Sequence, residues 1–142
     1  MSEEIKIILD KKKVIGQIRN KISEFDVIEV AYIFGSFINS ENFNDIDVAL
    51  LISKELNPYE RFKFAMKVAR ELERAIEPRI EFDVKILNYS PIEFQYEVLK
   101  TGKAIFARGK VKKEEYEAAT ISKYLDFRVI AEQLDRKFLA RV

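Results

Sequence analysis

The chain has 142 residues, room for about one domain with one hydrophobic core, and its 25 Lys and Arg against 24 Asp and Glu leave a net charge of +1. That balance argues against a protein whose main work is gripping nucleic-acid phosphates, so no strong nucleic-acid binding is expected. With no His and no Cys the chain has no imidazole base, no Ser-His-Asp triad, no thiolate nucleophile and no disulfide, and any metal must be held by oxygen, which favours Mg²⁺, Mn²⁺ or Ca²⁺.

In chain order, residues 10–25 set Val14, Ile15, Ile18, Ile22 and Phe25 at helical spacing. Lys11–Lys13 reads as the solvated start of that helix. Ile28–Phe34 (IEVAYIF) is strand-like and stops at Gly35-Ser36, after which Phe37–Asn44 reads as a polar loop. Asp45–Ile52 (DIDVALLI) is a second strand with Ile46, Val48, Leu50 and Ile52 on one face and Asp45 and Asp47 on the other.

A helix follows with Asn57 as its cap, Pro58 at the first position and Glu60 completing a capping box; Phe62, Ala65, Met66, Ala69, Leu72 and Ile76 keep its period, and Pro78 closes it. Phe62, Phe64 and Met66 are read as core. Ile80–Leu87 is a third strand, Ser90-Pro91-Ile92-Glu93 opens a short helix ending near Gly102, and Lys103–Ala107 is a fourth strand. From Val111 to Val142 the tail is helical, with Tyr124, Phe127, Ala131, Leu134 and Phe138 on one stripe. The order αββαβαβα describes an α+β domain: a small mixed sheet with helices packed largely on one face and a helical C-terminal tail.

The acidic start lacks the basic region and apolar core of a signal peptide, and the longest apolar runs fall short of a ~20-residue membrane span. A soluble cytoplasmic protein is expected. The abundance of Lys, Glu and Arg without Cys hints at a thermophile.

Three carboxylates interrupt apolar strands. Asp45 and Asp47 stand roughly 7 Å apart along one face of the second strand, and Asp83 lies between Phe82 and Val84 in the third. If the two strands are neighbours, all three converge, and like charges that close raise one another's pKa unless a cation intervenes. A pair of Mg²⁺ ions is the natural neutraliser. An Asp-x-Asp alone is usually a solvated strand face; the third Asp and the Gly-Ser turn upstream are what favour cation binding. Gly35 lets the backbone turn sharply, and the Ser36 hydroxyl can face a phosphate. Lys85 shares the face of Asp83 and either touches a nucleotide phosphate or balances that carboxylate. No P-loop or Rossmann glycine pattern occurs.

Gly35-Ser36, Asp45-x-Asp47 and Asp83 together resemble the DNA polymerase beta-like nucleotidyltransferase superfamily, and within it the small stand-alone "minimal nucleotidyltransferase" (MNT) branch. The stretches Phe82–Asn88 and Ser90–Gly109 and the tail segment Tyr124–Phe127 are similar to the MntA-type antitoxins of HEPN/MNT toxin–antitoxin systems. The resemblance implies a nucleotidyltransferase core over residues 1–109 and a helical extension over 110–142, packed on the core or on a partner. It also implies that Asp45, Asp47 and Asp83 bind two divalent cations, most naturally Mg²⁺, with Asp83 helping to activate an attacking hydroxyl. Gly35 and Ser36, with Lys85, would bind the nucleotide.

The reaction implied is transfer of AMP from ATP to a hydroxyl, a tyrosine of a helical HEPN toxin, by an antitoxin. The chain departs from the pattern in its Phe37–Asn44 linker, which is shorter than usual in the family and carries Glu41. The alternative is a binding module, weakly catalytic or not at all, that neutralises a helical partner by occlusion through anchors such as Tyr124, Phe127 and Phe138. The tail's stripe is nonetheless read first as intramolecular core. Homo-oligomerisation stays open.

Overall fold

The computed structural model describes residues 10–140. Its elements are α1 (Lys11–Ile22), β1 (Ile28–Phe34), α2 (Ser36–Asn39), β2 (Asp45–Ile52), α3 (Pro58–Ala75), β3 (Glu81–Ile86), a 3₁₀ turn at Leu87–Tyr89, α4 (Ile92–Thr101), β4 (Lys103–Ala107) and α5 (Lys110–Ala140). The four strands lie in the order β3-β2-β1-β4. β1 pairs antiparallel with β2 and with β4, while β2 and β3 run parallel, joined by α3 as the crossover.

The helix ends follow from local chemistry. Asp10 accepts from the Lys12 and Lys13 N–H groups and starts α1. At α3 the Asn57 side chain accepts from Glu60 N–H at 2.9 Å and Glu60 accepts from Asn57 N–H at 3.0 Å, the reciprocal box that the sequence predicts. The Ser90-Pro91-Ile92-Glu93 stretch has the residue pattern of a cap, but no side-chain cap forms at α4. Ser90 instead turns its hydroxyl back to the Ile86 carbonyl (2.8 Å), and Pro91 holds the cap position without a side-chain bond.

The larger core lies on one sheet face, as expected, where α1 and α3 bury Val14, Ile18, Ile22, Val68 and Leu72 against Ile33, Ile46, Val48, Leu50, Phe82 and Val84. The other face is covered in part, by α4 and the first turns of α5 over Val30, Tyr32 and Ala49. There the Tyr32 hydroxyl donates to Glu117 at 2.7 Å, and burial first, then Glu117, raises its pKa well above the ordinary phenol value. On the same helix Tyr116 donates to Gln95 at 2.8 Å, and its phenol is pushed up to about 12, chiefly by burial.

Three expectations are corrected. The Phe37–Asn44 segment is not a simple polar loop: its first residues form α2, and Phe37 and Phe43 are buried ring against ring at 4.8 Å. Two apolar residues six positions apart can leave the surface together once the backbone doubles back, which alternation along a line does not reveal. Phe62 and Met66 are exposed on α3, where Val68, Ala69 and Leu72 face the sheet, and Phe64 packs its edge on Phe25. The apolar stripe of that helix is broader than the sheet it covers.

The third correction concerns the tail. Its 31 residues extend about 46 Å at 1.5 Å per residue, longer than any strand beneath it. Thr120 is its only buried residue, and Tyr124 stacks flat on Tyr96 with centroids 3.9 Å apart. Beyond that stack the helix leaves the domain: Leu134 is 59% exposed, Phe138 75% and Leu139 74%. A chain lacking residues 127–142 is therefore expected to keep its melting temperature within about 3 °C, as surface changes do. Differential scanning calorimetry checks this, and collapse of the transition would return these residues to the core.

Candidate active site

β1 ends with Phe34 directly opposite Asp47 on β2. The next residue, Gly35, adopts φ 78° and ψ −155°, a region open essentially to glycine. A Cβ there would overlap the Asp47 carboxylate oxygen and lie 3.4 Å from Cγ. Glycine is thus demanded twice, by the turn and by the approach of the acid. The chain then enters α2 at Ser36, and the Ile38 and Asn39 N–H groups bond back to the Gly35 carbonyl at 3.2 and 3.1 Å.

Lys11 completes this turn and was not expected to. Its ammonium donates to the Phe37 carbonyl at 2.6 Å and the Ser40 carbonyl at 2.7 Å, and sits 5.0 and 5.5 Å from the Phe37 and Phe43 ring centroids. The cation caps the C-terminal carbonyls of α2 and fixes the loop that follows Gly35. The sequence carries no signal for it: Asp10 caps the same helix start, and a lysine there is ordinarily satisfied by water, so only the folded chain brings the Phe37 and Ser40 carbonyls within its reach. Lys11→Met is expected to cost about 1–3 kcal/mol, the loss of a charge-assisted bond to partly buried carbonyls, read by urea unfolding.

On the other side, β2 and β3 pair so that Asp47 stands opposite Asp83 and Asp45 opposite Glu81. Adjacent strands are about 4.8 Å apart, so Asp45, Asp47 and Asp83 share one patch, on the sheet face away from the larger core. Glu81 adds a fourth acid on that face; the period of β3 marks it, but only the register pairs it with Asp45. Lys85 pairs with Asp83 at 3.6 Å, both side chains about half exposed. The carboxyl of Asp47 is held above its ordinary pKa, by burial first, then by the charges of Asp45 and Asp83, with Lys85 opposing.

No three acids among the described residues are gathered tightly enough to grip one ion as they stand. In this arrangement Asp83 answers Lys85. The chemistry of the patch nevertheless fits a hard dication: its donors are all carboxylate oxygens, and the repulsion that raises Asp47 is what a bound cation relieves. A cavity of about 720 Å³ runs along the outer side of α3 and touches none of these acids.

A mixed sheet that presents a glycine turn against paired strand aspartates is the framework of a phosphoryl-transfer protein. The chain belongs to the polymerase beta nucleotidyltransferase family, whose signature matches residues 16–111. No curated protein matches it in sequence. Among solved structures it is similar to a tri-AMPylated Shewanella oneidensis HEPN toxin in complex with its MNT antitoxin, at 20% identity and TM-score 0.62 over 97% of this chain and 99% of that one. A toxin–antitoxin structure with AMP-PNP matches at 22% identity and TM-score 0.66, over 92% and 99%. The MntA–HepT toxin–antitoxin matches at 21% and TM-score 0.61, over 91% and 96%. At these identities the likeness establishes the fold, the sheet-plus-long-helix plan included.

Proposed function

We propose that this chain is a Mg²⁺-dependent nucleotidyltransferase that moves AMP from ATP to a hydroxyl, a tyrosine of a HEPN-type toxin, and so acts as an antitoxin in the cytoplasm. The observation that carries the reading is the approach of Asp47 to Gly35 on one side and to Asp83 on the other. It brings a phosphate-accommodating turn and the acids for a divalent cation into one patch. The solved neighbours support the nucleotide and the acceptor: one of them is an AMPylated toxin, another holds AMP-PNP.

Asp45, Asp47 and Asp83 would hold the cation, and Gly35 and Ser36 would receive the β- and γ-phosphates with Lys85 beside them. Bound there, Mg²⁺ supplies neutralisation of charge on the triphosphate and the leaving pyrophosphate. The acceptor oxygen forms a bond to the α-phosphorus while the bond to the bridging oxygen breaks, and Asp83 takes the hydroxyl proton. Positioning and electrostatics then provide most of the rate, which suits a chain without His or Cys.

A second reading, neutralisation by occlusion, is favoured by one feature, the distal half of α5. Leu125, Val129, Ile130, Leu134, Phe138 and Leu139 stand exposed on a helix that the domain does not cover. Both readings assign that helix to a helical partner. Incubation of the protein and its partner with Mg²⁺ and α-labelled ATP tests them together. Label on the partner that chelation abolishes supports transfer. Full neutralisation by the Asp45→Asn/Asp47→Asn double variant, without label, supports occlusion, and an unlabelled partner with its activity intact refutes both.

A further inference from the structure

We propose that the cavity beyond the carboxyl ends of β2 and β3 binds the phosphate group of a small molecule. It holds about 480 Å³ between the end of β2 (Ile52–Leu56), Arg61 of α3, and Asn88 and Tyr89 after β3. β2, α3 and β3 form the fold's parallel crossover unit, and the cavity lies just outside the carboxyl ends of its two strands. The aspartates lie at the opposite end: Asp45 opens β2 and Ser53 follows its last residue, about 26 Å away at ~3.3 Å per residue. The proposal is therefore independent of the reading of the carboxylate patch.

The walls are built rather than incidental. The Asn88 amide bonds the Ile52 N–H at 2.9 Å and its carbonyl at 2.8 Å, continuing the sheet by one side chain and pinning the rim. The guanidinium of Arg61 lies 3.6 Å over the Tyr89 ring, and its Nε donates to the Leu56 carbonyl at 2.9 Å. That fixes the plane of the fork and leaves its two terminal amino groups for a ligand. The Tyr89 hydroxyl accepts from the Leu56 N–H at 2.7 Å, so its own proton is left to donate.

Lys54 stands on the rim, and no carboxylate among the described residues forms an ion pair with it or with Arg61. Glu55 shares the lining, which leaves a net charge of +1 in the cavity. The N-terminus of α3 is already capped by Asn57 and Glu60, so the charge that would hold an anion is that of Arg61 and Lys54. A fixed guanidinium fork, a hydroxyl donor and an ammonium suit a tetrahedral oxyanion with several acceptor oxygens better than a single carboxylate.

The test is titration of the full-length, metal-free, ¹⁵N-labelled protein with inorganic phosphate, with AMP and with acetate. Phosphate and AMP are each expected to shift the Lys54 and Leu56 amides and the Arg61 Nε–H saturably, without moving Asp45 or Asp47, and acetate to do so at least tenfold more weakly. Equal saturation by phosphate and AMP assigns the site to the phosphate group alone; tighter AMP assigns it to a nucleotide, and both support the proposal. Lys54→Gln and Arg61→Gln should each weaken binding at least fivefold. Arg61→Gln also breaks the stack on Tyr89, so Lys54→Gln, which removes no packing, is the deciding variant. Unshifted resonances, acetate equal to phosphate, or unchanged affinity in Lys54→Gln would overturn the proposal, and none of these outcomes bears on transfer at the aspartates.

Discussion

Asp47→Asn is expected to abolish nucleotidyl transfer while leaving the metal-free protein more stable than the wild type. Losing one carboxylate of the cation-binding set removes several kcal/mol of transition-state stabilisation, a fall of about 10³-fold at 1.36 kcal/mol per decade. Stability moves the other way because the acid is held in a place that disfavours its charge, by burial and by Asp45 and Asp83. The folded-state pKa lies above the unfolded one, so the folded protein is at no disadvantage below the unfolded value and loses stability as pH rises through the raised folded value.

Asparagine carries no such term. The gap between variant and wild type should therefore be nil in acid and open toward neutral pH as a higher Tm for the variant. Mg²⁺ should narrow it by stabilising the wild type alone. Paired thermal melts in EDTA and in Mg²⁺ across pH, beside the labelled-ATP assay, give the answer. A variant that melts lower than wild type in EDTA at pH 7, or that still transfers label, contradicts the account.

Gly35→Ala separates backbone from chemistry in a different way. The φ of 78° costs an alanine about 1–3 kcal/mol, or a fall in Tm of several degrees. The overlapping atom is the outer oxygen of the Asp47 side chain, and that end can swing aside. The fold therefore survives, but the acid is displaced by the order of an ångström, and misplacement on that scale costs about 10²-fold in rate. The expected protein is folded, modestly destabilised and nearly inactive, with circular dichroism and the transfer assay as the two readouts. Full activity with the same destabilisation would mean that Asp47 does not need its place beside the turn.

Much of this arrangement was legible beforehand. The bounds of β1, β2 and β4 and the capping box of α3 agree with the structure, because short β-branched strands punctuated by Gly, Pro and Asn leave little local ambiguity. The acids were legible for a related reason: a charged residue inside an apolar strand has no local explanation, so Asp45, Asp47 and Asp83 stood out singly. The burial of Phe37 and Phe43 and the bond from Lys11 to the Phe37 and Ser40 carbonyls were not legible, since each depends on segments that meet only after folding.

The sequence by itself determined the α+β class, the strand set, the oxygen-only chemistry open to a chain without His or Cys, and the identity of the candidate acids. Only the tertiary structure decided that β2 and β3 run parallel with Asp47 opposite Asp83, that Gly35 touches Asp47, and that α5 leaves the domain after Tyr124. The division has one physical reason. Side-chain period and cap chemistry act within a few residues and are written along the chain, whereas strand register and the partner of an apolar face are set by burying surface between distant segments, so one helical stripe serves equally for a core and for an interface.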